Sequence, residues 1–87
     1  MAATRTWTVE IFLTEERDMT THAHAVLRTD TATVFEGAGS APSNPSDVIV
    51  PLADDELATE YALLDLAQHL RVAREERRSL HPIGWQR

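Results

Sequence analysis

Residues able to do chemistry are few in this chain. His22 and His24 stand at alternate positions, and two imidazoles at i and i+2 of a strand share one face, where a carboxylate such as Glu10 from a neighbouring strand could complete a metal site. The threonine and arginine around them describe a solvated sheet face equally well, which is the preferred reading. His69 and His81 do not converge with the pair, and neither a metal nor any other cofactor is expected. Cysteine is absent, so thiolate ligands, disulfides and cysteine nucleophiles are excluded. Ser40, Ser43, Ser46 and Ser79 have no base placed beside them by spacing. The acidic runs Glu15-Glu16, Asp54-Asp55-Glu56 and Glu75-Glu76 suit a turn, a helix cap and a solvated helix face better than a desolvated acid and base pair. Gly37-Ala38-Gly39 lacks the Gly-Lys-Ser/Thr continuation of a phosphate loop and reads as a strand end or bulge. No enzyme and no small-molecule substrate are therefore expected; a deep pocket gathering His24, His69 or the acidic pairs would reverse that.

Arginine is the exception. Arg71, Arg74 and Arg78 are spaced by three and four and make a basic stripe on a helix, with Arg77 adjoining. Cations also belong at a helix C-terminus for electrostatic reasons, and Glu75 and Glu76 offer neighbouring ion pairs. All eight basic residues are arginine, and the formal net charge is −6. Up to Leu70 there are three arginines against twelve acids, whereas Arg71–Arg87 holds five arginines against two acids. An acidic body repels phosphate backbones, so nucleic-acid contact, if any, falls to Arg71, Arg74, Arg77 and Arg78. Trp85 could stack a base, although a ring in a tail more often caps a core or a partner.

The elements that would carry these groups are legible. With 87 residues and 43% of them hydrophobic, the chain suits one small domain, taken as residues 7–80, with 1–6 and 81–87 as flexible or partner-contacting termini. No run is long enough for a membrane span, and a cytoplasmic location is expected. Trp7, Val9, Ile11 and Leu13 alternate with other residues as in a strand with one buried face. Ala23, Ala25 and Leu27 repeat the pattern with small side chains inward, and Thr29-Asp30-Thr31 has turn chemistry before a third strand from Ala32 to Gly39. The reading is an α+β fold: a three-stranded antiparallel meander, a long proline-rich connector over Ser40 to Ala53, and one long helix from Asp54 or Asp55 to about Arg78.

Placed at about 100° per residue, the helix has two apolar stripes. Leu57, Tyr61, Leu64 and Val72 form one, and the sequence predicts that Leu57, Tyr61 and Leu64 meet Trp7, Ile11, Leu27 and Phe35 in the core. Ala62, Leu63, Leu66, Leu70 and Ala73 form the other. One sheet buries one stripe, so either the helix curls or a second copy covers Leu63, Leu66 and Leu70; the homodimer is preferred.

The ordered segments Trp7-x-Val9-x-Ile11, Thr21-x-Ala23-x-Ala25-x-Leu27, Gly37-x-Gly39-x-Ala41, Asn44-Pro45-x-Asp47, Val50-Pro51, Asp55-Glu56-Leu57-Ala58 and Ala62-Leu63-x-Asp65-Leu66-Ala67 resemble a small actinobacterial family with a double-stranded-RNA-binding-domain (dsRBD) fold. The likeness runs from Trp7 to about Leu70. Some mycobacterial members are associated with dormancy and are similar in fold to ribosome hibernation-promoting factors. The resemblance implies a β-β-β-α unit, a dimer, and a stress-related role at the ribosome or on structured RNA. Pro42, Val48 and Tyr61 stand where that pattern would place arginines, which removes positive charge from a hibernation-factor-like surface. An alternative is a protein-interaction dimer with no nucleic-acid role.

Overall fold

The structure, a computed structural model, describes residues 2–42 and 51–80. Three strands, β1 (Thr8–Glu15), β2 (Thr20–Arg28) and β3 (Val34–Pro42), are followed by one helix, α1 (Pro51–Leu80). The strands form an antiparallel sheet in the order β1-β2-β3, and α1 lies across one face of it. This is the α+β, β-β-β-α arrangement that the alternating patterns predict.

Both hairpins close with local chemistry. At the first, Met19 N–H donates to Glu16 O and Glu16 N–H to Thr20 O, with Met19 in the left-handed region at φ 68°. The Asp18 carboxylate accepts from Thr20 N–H at 3.0 Å, which lowers its pKa. At the second, the Thr29 hydroxyl donates to Thr33 O at 2.9 Å and accepts from Thr31 N–H at 3.2 Å. The strand ends shift from the sequence reading because β3 runs on through Ser40, Ala41 and Pro42. Proline is tolerated at the end of an edge strand, and Pro51 suits a first helical turn, where its missing N–H has no partner to lose. Both ends of the expected connector thus fold into regular elements; residues 43–50 lie outside the described residues.

The core is built of small side chains. Ala23, Ala25 and Leu27 on β2 and Ala41 on β3 meet Ala58, Ala62 and Leu66 of α1, with Ile11, Phe35 and Leu70 partly buried around them. Gly37 and Gly39 lie inside β3, not at a strand end or bulge. A Cβ added at Gly39 would stand 2.5 Å from Ala58 O and 2.6 Å from Tyr61 Cβ, and one at Gly37 would stand 2.8 Å from Leu66 Cα. The helix backbone therefore rests almost directly on the strand.

That closeness inverts the predicted helix face. The stripe carrying Ala62, Leu66, Leu70 and Ala73 is the one turned to the sheet. Leu57, Tyr61 and Leu64 are exposed, and Trp7 is half exposed, so the expected core of Trp7 with Leu57, Tyr61 and Leu64 does not form. Leucines at the contact line would hold the helix away from the two glycines, whereas alanines let it settle. Of the three leucines assigned to a dimer face, Leu66 is buried in the chain's own core, Leu70 is half-buried against it, and Leu63 is exposed. A dimer face built on Leu63, Leu66 and Leu70 together would have to take Leu66 from the core, so the three do not form one exposed face in the folded chain.

Substitutions should read this packing directly. Gly39→Ala must push backbone against backbone and is expected to cost about 2–3 kcal/mol. Leu66→Ala should cost about 2–5 kcal/mol through lost burial and a cavity, while Leu64→Ala should stay within about 0.5 kcal/mol. Urea unfolding of the three variants tests this order, and a large loss for Leu64→Ala would contradict the observed helix face.

Candidate functional site

Two surface regions and one clip collect the polar chemistry. The clip joins the N-terminal segment to the β2–β3 turn. Arg5 Nε and Nη2 donate to the two Asp30 carboxylate oxygens at 2.7 and 2.9 Å, and Trp7 Nε1 donates to Oδ1 at 3.1 Å. The hydrogen bonds from Arg5, then that from Trp7, hold the Asp30 carboxyl at about 2, below its usual 3.8. This strong perturbation belongs to a structural clip, with both guanidinium and indole engaged side-on.

The clip gives a pH signature. Because the folded-state pKa is depressed, its contribution is present above the unfolded value near 4 and is lost as the pH falls toward 2. A carbon-detected NMR titration should find Asp30 protonating near 2, and Arg5→Ala should raise that value toward the ordinary aspartate range. The stability difference between wild type and Asp30→Asn should be steady from pH 5 to 7 and shrink between about pH 4 and 2.

The sheet face opposite α1 carries both strand histidines. His24 Nε2 lies 2.6 Å from Glu36 Oε1, and His22 Nδ1 lies 2.9 Å from Ser40 Oγ. Glu10, the carboxylate considered for a metal trio, instead accepts from Arg28 Nε at 3.1 Å. No group of three or more histidine or acidic side chains converges among the described residues. The face also presents Phe12, tilted against His24 at 6.3 Å between ring centres. These contacts pair polar groups across the strands, as expected of a solvated sheet face.

His69, which spacing alone did not connect to anything, has a partner in β3. Its Nδ1–H donates to Glu36 O, while Asp65 Oδ2 accepts from Ala38 N–H at 2.9 Å. Asp65 and His69 also face each other, Nε2 to Oδ1 3.7 Å. The signal available in sequence was the i, i+4 spacing of an acid and a histidine on one helix flank; which strand edge they reach is a tertiary fact.

Beyond the sheet, α1 continues for two further turns with its arginines gathered. Arg71, Arg74, Arg77 and Arg78 fall within about 120° of the helix circumference at about 100° per residue, with Glu75 adjoining Arg71 at the edge of that arc and Glu76 on the far side. Arg71, Arg74 and Arg77 line a shallow depression with Ala67 and Leu70. Arg71 Nε reaches Glu75 at 3.4 Å in an exposed pair, and Arg77 and Arg78 occupy the last turn, where cations oppose the negative end of the helix dipole. The structure thus gathers the sequence-assigned arginines on one flank and leaves them accessible.

The second surface is apolar. Because α1 sits over β2 and β3, the inner face of β1 is only partly covered: Ile11 packs against the core, while Val9 and Leu13 on either side of it are both over 40% exposed. Between β1 and the helix lies an open groove of about 630 Å³ lined by Leu13, Leu63, Leu64, Thr59 and the carboxylates Asp55, Glu56 and Glu60. It gathers neither His24 nor His69, but of the acidic runs singled out in the sequence it does take in Asp55 and Glu56. His81 and Trp85 lie outside the described residues.

No helix among the described residues is long and apolar enough to cross a membrane. No curated protein matches the chain. The model of one family, described as Rv2632c-like, matches residues 5–78, from the Arg5 clip through all three strands to the last turn of α1, and the chain belongs to the Rv2632c-like family.

Proposed function

We propose that this protein is a non-catalytic homodimer that docks on structured RNA, with the ribosome as the most concrete target, as part of a stress or dormancy response. The observation that carries the reading is the gathered arginine flank: Arg71, Arg74, Arg77 and Arg78 project from the part of α1 that the sheet does not need. Such a flank tracks phosphates, and a two-fold axis would double it. The likeness to dsRBD-fold proteins and to hibernation-promoting factors supports the same partner and supplies the physiological setting.

The dimer part rests on exposed apolar surface. Leu13, Leu63 and Leu64 are each more than 40% exposed around one groove, and Val9 is similarly exposed on the same face of β1, an arrangement costly for a lone chain in water. The same groove favours a second reading, a protein-interaction dimer that meets no nucleic acid, since its rim carboxylates Asp55, Glu56 and Glu60 repel phosphate.

Co-sedimentation with ribosomes and binding to structured RNA, each at low and moderate salt, separate the two. Under the RNA reading, affinity falls steeply with salt, and the Arg74→Glu, Arg78→Glu double variant weakens binding at least tenfold for every RNA sequence alike. No binding at low salt would leave the protein-interaction reading, and binding untouched by the charge reversal would move the site to the sheet face of His22, His24 and Arg28. Light scattering should give about twice 9.7 kDa.

A further inference from the structure

The two edges of the sheet are treated differently. On β3, the backbone groups pointing away from β2 include Ala38 N–H and Glu36 C=O, and Asp65 and His69 reach down from α1 to bond both. That edge is closed to another strand over its middle, a way of preventing intermolecular pairing. On β1, among the described residues, no side chain bonds the outward backbone.

The direction of those outward groups follows from the turn. Glu16 N–H donates to Thr20 O, so Glu16 and Thr20 form a hydrogen-bonded pair. Antiparallel ladders alternate, and Thr14, Phe12, Glu10 and Thr8 therefore bond to β2 through their register partners His22, His24, Val26 and Arg28. The N–H and C=O of Val9, Ile11, Leu13 and Glu15 point to the free edge. The strand contains no proline, lysine or bulge, the usual obstacles to further pairing, and its helix-side chains Val9, Ile11 and Leu13 are apolar, with the charge of Glu15 confined to its last position.

We infer that the β1 edge pairs antiparallel with β1 of a second copy, about a two-fold axis at Ile11, joining the two sheets into one of six strands. This rests on the homodimer proposed above and specifies its geometry. The register is selected by charge and by face. Centred on Ile11, Val9 lies opposite Leu13, Thr8 opposite Thr14 and Glu10 opposite Phe12, so no like charges meet across the paired strands. Centred on Glu10, two carboxylates would face each other, and centred on Phe12, Glu15 would oppose Val9 on the apolar side. A two-fold axis normal to the sheet keeps both helices on the same side, so the two α1–β1 grooves open onto one another over Val9, Ile11, Leu13 and Leu63. The second copy thus supplies both partners that β1 lacks among the described residues, a strand for its edge and apolar surface beside Val9 and Leu13.

Residue-resolved hydrogen exchange on the full-length protein, with sedimentation at the same concentration, tests the pairing. The amides of Val9, Ile11 and Leu13 should exchange at least a hundredfold more slowly than exposed amides, roughly as slowly as those of Glu10 and Phe12. In a mixed sample of labelled and unlabelled protein, inter-chain contacts should link Ile11 with Ile11 and Val9 with Leu13. A dimer in which the odd-numbered amides exchange freely would overturn edge pairing and leave the dimer standing. A monomer would overturn both. Inter-chain contacts in any other register would overturn the axis at Ile11. Leu13→Lys, which puts a charge into the joined trough, should raise the dimer dissociation constant at least tenfold while the chain keeps its circular dichroism spectrum; unchanged dimerisation would count against the geometry.

Discussion

Everything else in this molecule depends on how closely α1 approaches β3. Gly37 and Gly39 offer no side chain, and Ala58 and Ala62 offer only methyl groups, so helix backbone and strand backbone come within contact distance. Such an interface gains little from large apolar side chains. It gains instead from close packing over a long line, to which Leu66 and Leu27 add the largest buried side chains of the cluster. The same approach brings Asp65 and His69 down to the backbone of β3, because a helix held farther off would leave them short of Ala38 N–H and Glu36 C=O.

A helix fixed over β2 and β3 cannot also cover β1 fully. The sheet is three strands wide and α1 presents one narrow contact line, so the inner face of β1 stays partly open and Leu57, Tyr61 and Leu64 turn outward. For a chain this short the consequence is considerable, since much of its apolar surface lies outside its own core. The exposed apolar surface lies beside the β1 edge, which no side chain bonds among the described residues, and the position of α1 set by the glycine and alanine contact leaves both uncovered by the helix. Regarding the polar face, the cross-strand pairs His24 with Glu36 and Arg28 with Glu10 keep it solvated and match its exposure.

Charge is arranged along the fold in the same spirit. Acids crowd the body and the N-terminal half of α1, where Asp54 sits in the first turn, and arginines occupy the C-terminal half. The helix dipole favours both placements, so stability alone would account for the sign of each end. It does not account for the gathering of four arginines within one arc of the last turns, and that gathering gives the end of the helix an accessible basic surface.

Local pattern in the sequence determined the elements. Alternation from Trp7 to Leu13 and from Ala23 to Leu27 specified two strands, Thr29-Asp30-Thr31 specified the second turn, and unbroken helix formers up to Arg78 specified α1, because strand and helix periods are properties of neighbouring residues. The arginine stripe was legible for the same reason. Which apolar stripe faces the sheet was not. Judged by side-chain size, Leu57, Tyr61 and Leu64 are the stronger core candidates, and only the glycines at 37 and 39, eighteen residues or more away in sequence, make alanine the better fit. The seat of His69 on Glu36, the Arg5 and Trp7 clip on Asp30 and the partly covered inner face of β1 are likewise decided by tertiary structure. Each depends on where two distant segments meet, and no periodicity within either segment records that distance.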